Sequence, residues 1–392
     1  MRRLCTYLDR YPAKMVSHLA DKLVDRYLPD SANLLDPFCG SGAILNAATS
    51  RNFDATGFDV NPYATLLSRV KLDGFDRNVA HDVCEALLSK SLRSKKALPV
   101  PWEAKNYWFT KQTLLKYEKL RHVANQMSLY DSREGRAVLL AYTLSVRRCS
   151  RADQRSPKPF ISKTALASRK GKHFDPFQEI AKLLADLADL HAGPMAPKSQ
   201  VLCVDVRSSK GLSRFANRFS HIITSPPYIN AQDYFRNFKL ELNLLEDLIP
   251  CGRVASVRYK FIGTERGQLL QGLRESDFNY HRKLLSILSR METTHPKQSA
   301  IVHRYMWDMR SAFSVMKACL QAHGKLVLVC GDNLVGGYRI TTWRILCKML
   351  EDLGFSLFDR FGDKIGCRNV PPKRQGHVGI IKQEVISAFE LD

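Results

Sequence analysis

Residues 33–59 read NLLDPFCGSGAILNAATSRNFDATGFD, and they decide the fold class. Asn33 to Asp36 form a short apolar run that ends in an acid, as a strand buried on both faces would. Gly40 and Gly42 follow in a turn, where a missing Cβ lets the backbone approach a ligand closely. The small-residue run AILNAATSR reads as a helix, and FDATGFD as a second strand tipped by Asp59. VNPYATLLSRVKL then supplies another helix. Strand, acidic tip and helix, twice in succession, open a doubly wound α/β sheet of Rossmann type.

Outward from this core the rhythm changes. Upstream, MVSHLADKLVDRYL (15–28) carries apolar residues at helical spacing until Pro29 stops it. Downstream, residues 77–198 read as mostly helical, with TKQTLLKYEKLRHVANQM (110–127) and SREGRAVLLAYTLSVRR (132–148) amphipathic. Strand signals return in SQVLCVDVRSS (199–209) and SHIITSPPY (220–228), and residues 229–298 are irregular and partly helical. A helix (307–322), the strand GKLVLVCGD (324–332) and a helix (341–354) come next. FSLFDRFG (355–362) and HVGIIKQEVISAFEL (377–391) form a closing β-hairpin. Three regions are expected: residues 1–76 begin the sheet, 77–198 form a largely helical insertion, and 199–392 complete the sheet.

Composition narrows the function. The 392 residues are 45% hydrophobic, enough for a large core, and no stretch approaches the ~18 apolar residues of a membrane-spanning helix. The N-terminal MRRLCTYLDRYPAK lacks the apolar segment of a signal peptide, so a cytoplasmic location is expected. Ten cysteines are scattered without a CxxC pair or zinc spacing, which argues for free thiols and against a metal. Sixty basic against 38 acidic residues leave a net charge of +22, and a protein this basic commonly meets nucleic acid.

The most informative string is Ser225-Pro226-Pro227-Tyr228, at the end of the apolar run HIIT. Two successive prolines lack the N–H groups of a strand ladder, so the chain must leave the sheet there as a rigid loop. Open α/β sheets bind their ligands at that edge. An exocyclic amine on a nucleic-acid base is a poor nucleophile, because its lone pair is delocalised into the ring. Two acceptors aimed at its N–H groups, the Ser225 hydroxyl and the Pro226 carbonyl, would draw the nitrogen toward tetrahedral geometry. Tyr228 would stack on a base swung out of the duplex.

DPFCGSG (36–42) resembles the first motif of S-adenosylmethionine-dependent DNA amino-methyltransferases, and SPPY (225–228) resembles the fourth. Tyr11-Pro12-Ala13-Lys14 is similar to the segment that flanks the cofactor in that family. The resemblance covers residues 8–75 and 199–235 well, and the C-terminal strands loosely. It implies S-adenosyl-L-methionine as cofactor. By match, Asp36, Phe38, Gly40 and Gly42 hold its methionine part, with Tyr11, Pro12 and Thr224 beside them. Asp59 would take the ribose hydroxyls, and Asp205, ending LCVD, the adenine amino group. Serine in the first motif position is typical of cytosine-N4 enzymes, so N4 of cytosine in DNA is the leading target. Adenine N6, an RNA base, and a catalytically silent nucleic-acid binder are the alternatives. Duplex DNA is the expected partner, with a cognate restriction endonuclease as a second candidate.

Several segments are candidates for holding DNA. Residues 147–172 contain nine Lys or Arg and one acid, which suits phosphate contacts. Asn230, Asp233, Tyr234 and Arg236 follow the loop directly, and VRYKFIGTERG (257–267) and VPPKRQG (370–376) are further basic loops. Pro250-Cys251 has the look of a cytosine-C5 nucleophile, but the loop chemistry is already supplied by SPPY, so Cys251 reads as a loop or core thiol.

Overall fold

Apolar runs with acidic tips become parallel strands, and the strand order sets where a ligand can sit. The computed structural model describes residues 11, 15–156, 158–168, 174–191, 199–229, 234–263, 282–364 and 383–392. In chain order come α1 (Ser17–Tyr27), β1 (Asn33–Asp36), α2 (Ala43–Thr49), β2 (Asp54–Asp59) and α3 (Pro62–Asp73). The helical segment holds α4 (Arg77–Arg93), α5 (Lys111–Gln126), α6 (Arg133–Cys149) and α7 (Pro176–His191). Then follow β3 (Gln200–Cys203), β4 (Phe219–Thr224), α8 (Tyr234–Leu245), α9 (Arg282–Thr294), α10 (Pro296–Cys319) and β5 (Leu320–Gly331). The chain closes with α11 (Thr342–Asp352), β6 (Phe355–Lys364) and β7 (Gln383–Leu391).

The seven strands lie in the order β3-β2-β1-β4-β5-β7-β6. Strands β1 to β5 are parallel, and β7 runs antiparallel between β5 and β6. This is the doubly wound Rossmann-like arrangement with a closing hairpin. The order reverses between β1 and β4, so the helices that leave these strands diverge and open a crevice at their carboxyl ends. Register brings the strand tips to one edge: Asp36 pairs opposite Gly57, Asp59 opposite Cys203, and Thr224 opposite Leu328.

Period-2 alternation sorts the strand residues onto two faces. Leu34, Ile223, Val327 and Ile386 pack with α1 and α2, through Leu19, Leu23, Ile44 and Leu45. Leu35, Ile222, Leu326 and Leu328 point the other way and pack with α10 and α11, through Met306, Phe313 and Leu346. Helices α5 and α6 match the amphipathic runs, and each has a side-chain cap. Thr113 N–H donates to Thr110 Oγ1 at 3.1 Å, and Gly135 N–H to Ser132 Oγ at 3.0 Å. Their core is shared with the sheet's own helices, since Leu139, Leu140 and Tyr142 lie in one cluster with Leu66 and Val70 of α3 and Leu242 and Leu245 of α8.

One boundary differs from the expectation. The helix expected to reach Ala322 stops at Cys319, because Leu320 pairs with Phe219 as the first rung of β5. The stretch expected to be irregular and partly helical holds α8 and α9, whose apolar faces are buried. Among the described residues no helix is long and apolar enough to cross a membrane.

Candidate active site

The turn after β1 is shaped by glycine and held by short-range bonds. Gly40 and Gly42 adopt φ of +51° and +78°. A Cβ on Gly42 would stand 2.9 Å from Ser68 Oγ, and one on Gly40 would stand 3.1 Å from the Tyr11 ring. Asp59 accepts from the N–H of Gly40 at 2.9 Å and of Asn61 at 2.8 Å. Ser68 Oγ donates to the Gly40 carbonyl at 2.8 Å, and Lys71 Nζ to the Ser41 carbonyl at 2.9 Å. The turn therefore faces the crevice as a fixed cradle of backbone.

The loop after β4 is held from farther away. The Thr224 hydroxyl, fully buried, donates to Asp36 Oδ1 at 2.7 Å, and Phe38 N–H donates to the same oxygen at 3.2 Å. The Tyr228 hydroxyl donates to the carboxylate of Glu384 at the start of β7. The Ile229 carbonyl accepts from Asn333 Nδ2 at 3.4 Å, and Asn333 Oδ1 accepts from the Thr342 hydroxyl at 2.8 Å. Gly263, at φ +76°, lies against Tyr228 so closely that a Cβ would be 2.6 Å from the Tyr228 carbonyl oxygen.

Turn and loop border one cleft of about 850 Å³. Asp36, Phe38, Gly40 and Asp59 form one wall, and Asp205, Ser225 and Pro227 form another. The third wall is aromatic. Tyr11 stacks between Tyr234 (5.9 Å) and Phe238 (5.2 Å), and Tyr234 lies parallel to Phe261 at 6.4 Å. Burial pushes the Asp36 carboxyl up to about 7 and the Asp59 carboxyl up to about 6, against the hydrogen bonds that each accepts. Among the described residues, no cation stands close enough to Asp36 or Asp59 to offset that burial.

Most of the residues singled out in the sequence converge here. Tyr11, Asp36, Phe38, Gly40, Asp59, Asp205, Ser225 and Pro227 line the cleft. Thr224 and Pro226 are buried behind it, and Gly42 packs on Ser68 at its back. Asp205 is no bare strand-end carboxylate. It accepts from Arg207 through both oxygens, at 2.9 and 2.6 Å, and Arg207 also pairs with Asp308 at 2.7 Å. Tyr228 is turned toward Glu384 and is not part of the cleft lining. Pro12, Asn230 and Asp233 lie outside the described residues. Lys260 and Phe261, from a loop expected to be a candidate nucleic-acid contact, line the cleft. Cys251 is buried in the helical core.

Sequence reasoning missed Ser68, Lys71, Asn333 and Glu384. Ser68 and Lys71 had a signal, because they sit a turn apart on the helix facing the glycine turn. Asn333 and Glu384 had none, being far along the chain from the loop that they hold.

The basic stretch 147–172 is partly spent inside the fold. Arg147 is buried and donates to the carbonyls of Ser156 (3.1 Å) and Asn237 (3.3 Å), with Glu241 at 3.7 Å. Arg148 pairs with Glu179 at 2.7 Å, and Arg155 with the buried Asp153 at 2.6 Å. Lys158 and Lys163 are in the described part of this stretch, while Arg169, Lys170 and Lys172 lie outside it.

No protein-family model matches the chain. A 128-residue stretch, 30% of the chain, is 21% identical to the Type II methyltransferase M.MvaI of Kocuria varians and covers 28% of that protein. An 88-residue stretch, 22% of the chain, is 26% identical to the Type II methyltransferase M.MjaII of Methanocaldococcus jannaschii and covers 17% of it. The matched parts are therefore less than a third of either relative. Among solved structures, a TehB-like SAM-dependent methyltransferase from Corynebacterium glutamicum aligns with 100% of this chain and 94% of its own, at 10% identity and a TM-score of 0.34.

Proposed function

We propose that this chain transfers a methyl group from S-adenosyl-L-methionine to the exocyclic amino group of a base in duplex DNA, with cytosine N4 as the target. One observation carries the reading: Ser225 and Pro227 border the same cleft as two buried carboxyls and a glycine cradle, and the Thr224–Asp36 hydrogen bond ties the two halves together. Both sequence relatives bear the name Type II methyltransferase, which agrees with it.

The residues present fit such a cofactor. Asp36 and Asp59 favour a ligand of positive charge, which would return their carboxyls to the ionised form. S-adenosylmethionine brings an ammonium group and a cationic sulfur carrying a methyl group that an amine can displace, so no enzyme nucleophile is needed. The aromatic wall of Tyr11, Tyr234 and Phe261 suits a flat base and a neighbouring cation. Phe38 and Gly40 close the cradle, Asp59 keeps the turn in shape, and Asp205, steadied by Arg207, keeps acceptor capacity toward the cleft.

At the rim, Ser225 Oγ and the Pro226 carbonyl would accept the two N–H groups of the target amine and free its lone pair. The rigid Pro-Pro backbone keeps both acceptors in place without reorganisation. Tyr228, clamped by Glu384, would offer its ring to the extruded base. The first-position serine supports cytosine N4 through the resemblance to that branch. Incubation with labelled S-adenosylmethionine and unmodified DNA, with RNA in parallel, followed by nucleoside mass spectrometry, tests the reading. N4-methylcytosine in DNA is expected. N6-methyladenine would overturn the choice of base, and label in RNA alone would overturn the substrate class. No label anywhere, with cofactor bound, would favour a silent binding protein.

A further inference from the structure

Just beyond the tip of β3, one arginine holds two walls of the cleft at once. Val204, Asp205 and Val206 line it on one side, and Lys260, Phe261 and Ile262 on another. Val206 and Ile262, one from each wall, share an apolar cluster. The Arg207 side chain is 14% exposed and bonds to both walls. Its Nε and Nη2 donate to the two oxygens of Asp205 at 2.9 and 2.6 Å, and Nη2 also donates to the Lys260 carbonyl at 2.9 Å. Its Nη1 pairs at 2.7 Å with Asp308 of α10, a buried carboxylate that also accepts from Arg304 at 2.9 Å. Every guanidinium nitrogen thus has an acceptor, and the acceptors come from three separate parts of the chain.

Only a planar fork of donors serves this geometry. A lysine ammonium is a single point and cannot grip one carboxylate with two prongs while holding a second carboxylate and a carbonyl. The cross-link therefore fixes both the spacing of the two walls and the direction of the Asp205 carboxylate. Asp205 follows β3 and Ser225 follows β4, so they stand three strand spacings apart, about 14 Å across the sheet. A ligand that serves both must be elongated, with its transferable group toward Ser225 and a hydrogen-bond donor at its other end. S-adenosylmethionine has this form, with the adenine amino group as that donor. A carboxylate gripped by a guanidinium offers only acceptors, so it favours a purine carrying an amino group at position 6 over one carrying a carbonyl there.

We infer that Arg207 is the positioning residue for the purine end of the cofactor site, aiming Asp205 so that the site selects adenine over a 6-oxopurine. This rests on the cofactor proposed above. The experiment titrates S-adenosylhomocysteine and its inosine counterpart, S-inosylhomocysteine, by calorimetry into the full chain and its Arg207→Met and Arg207→Lys variants, with thermal melting of each. The unsubstituted chain should bind the adenosyl compound tighter than the inosyl compound by about tenfold or more, the scale of one hydrogen bond to a charged group. In Arg207→Met, which keeps an apolar stem but no donor, adenosyl affinity should fall about tenfold while inosyl affinity hardly changes, so the preference disappears. Arg207→Lys should restore part of it. Equal weakening of both compounds would overturn the inference, because it would make Arg207 a brace of the fold alone. Unchanged binding in the variants, or no preference in the unsubstituted chain, would overturn it as well. Should Arg207→Met fail to fold, the same split between the two compounds is read from Arg207→Lys. Failure of the functional reading is distinguishable, because the unsubstituted chain would then bind neither compound, and this inference would fall with it.

Discussion

The turn after β1 and the loop after β4 are neighbours at the carboxyl edge of the sheet, yet they are braced in opposite ways. The turn is held by Asp59, Ser68 and Lys71, whose bonds reach back 19, 28 and 30 residues. The loop is held by Asp36, Ile229's partner Asn333, and Glu384, across separations of 188, 104 and 156 residues. A locally closed cradle can form as soon as its strand-turn-helix unit folds. The loop reaches its working shape only when the last strand of the chain has joined the sheet. The glycine turn is thus a local structure and the Pro-Pro loop a product of the whole fold.

Substitutions on either side should separate these halves. Asp36→Ala removes the one group common to both and should have the largest effect, a loss of about a hundredfold in cofactor affinity by calorimetry. In the unsubstituted chain that affinity should depend on pH. Asp36 titrates near 7 and Asp59 near 6, so below about pH 6 both are neutral in the free protein, and binding of a cationic ligand is weakest there. It should strengthen as pH rises through 7 and level off above it; a flat profile from pH 5.5 to 8.5 would detach the carboxyls from binding. Tyr228→Ala should leave cofactor binding intact and cut kcat/KM on DNA by about tenfold, the scale of one lost base stack. Glu384→Gln is the mildest test. It keeps a hydrogen bond to Tyr228 but removes its charge, and a two- to fivefold fall in kcat/KM with unchanged cofactor titration is expected. A loss of cofactor binding in Glu384→Gln would erase the distinction between the halves.

The same contrast explains what could be read in the sequence. Periodicity and the acidic strand tips revealed the sheet, because a parallel strand buried on both faces must be apolar wherever it occurs. DPFCGSG was legible as a cradle, since its constraints (φ near +51° and +78°, and no room for a Cβ) act within one motif. SPPY was legible as a loop for a similar reason, two adjacent prolines. The brace on Tyr228 was not, because nothing in QEVISAFEL marks Glu384 as the partner of a tyrosine 156 residues away. The basic segment was legible only in part. A count of charges does not tell that Arg147 and Arg148 have acids and carbonyls waiting for them inside the fold.

In the proposed reaction Ser225 acts on the target amine while the cradle holds the cofactor. Ser225→Ala, titrated with S-adenosylmethionine and assayed for methyl transfer to unmodified DNA on the same preparation, tests it most directly. The account predicts cofactor binding equal to that of the unsubstituted chain and kcat lower by about tenfold or more, the scale of one lost hydrogen bond that polarises the reacting group. Transfer at the original rate, or a parallel loss of cofactor binding, would contradict it.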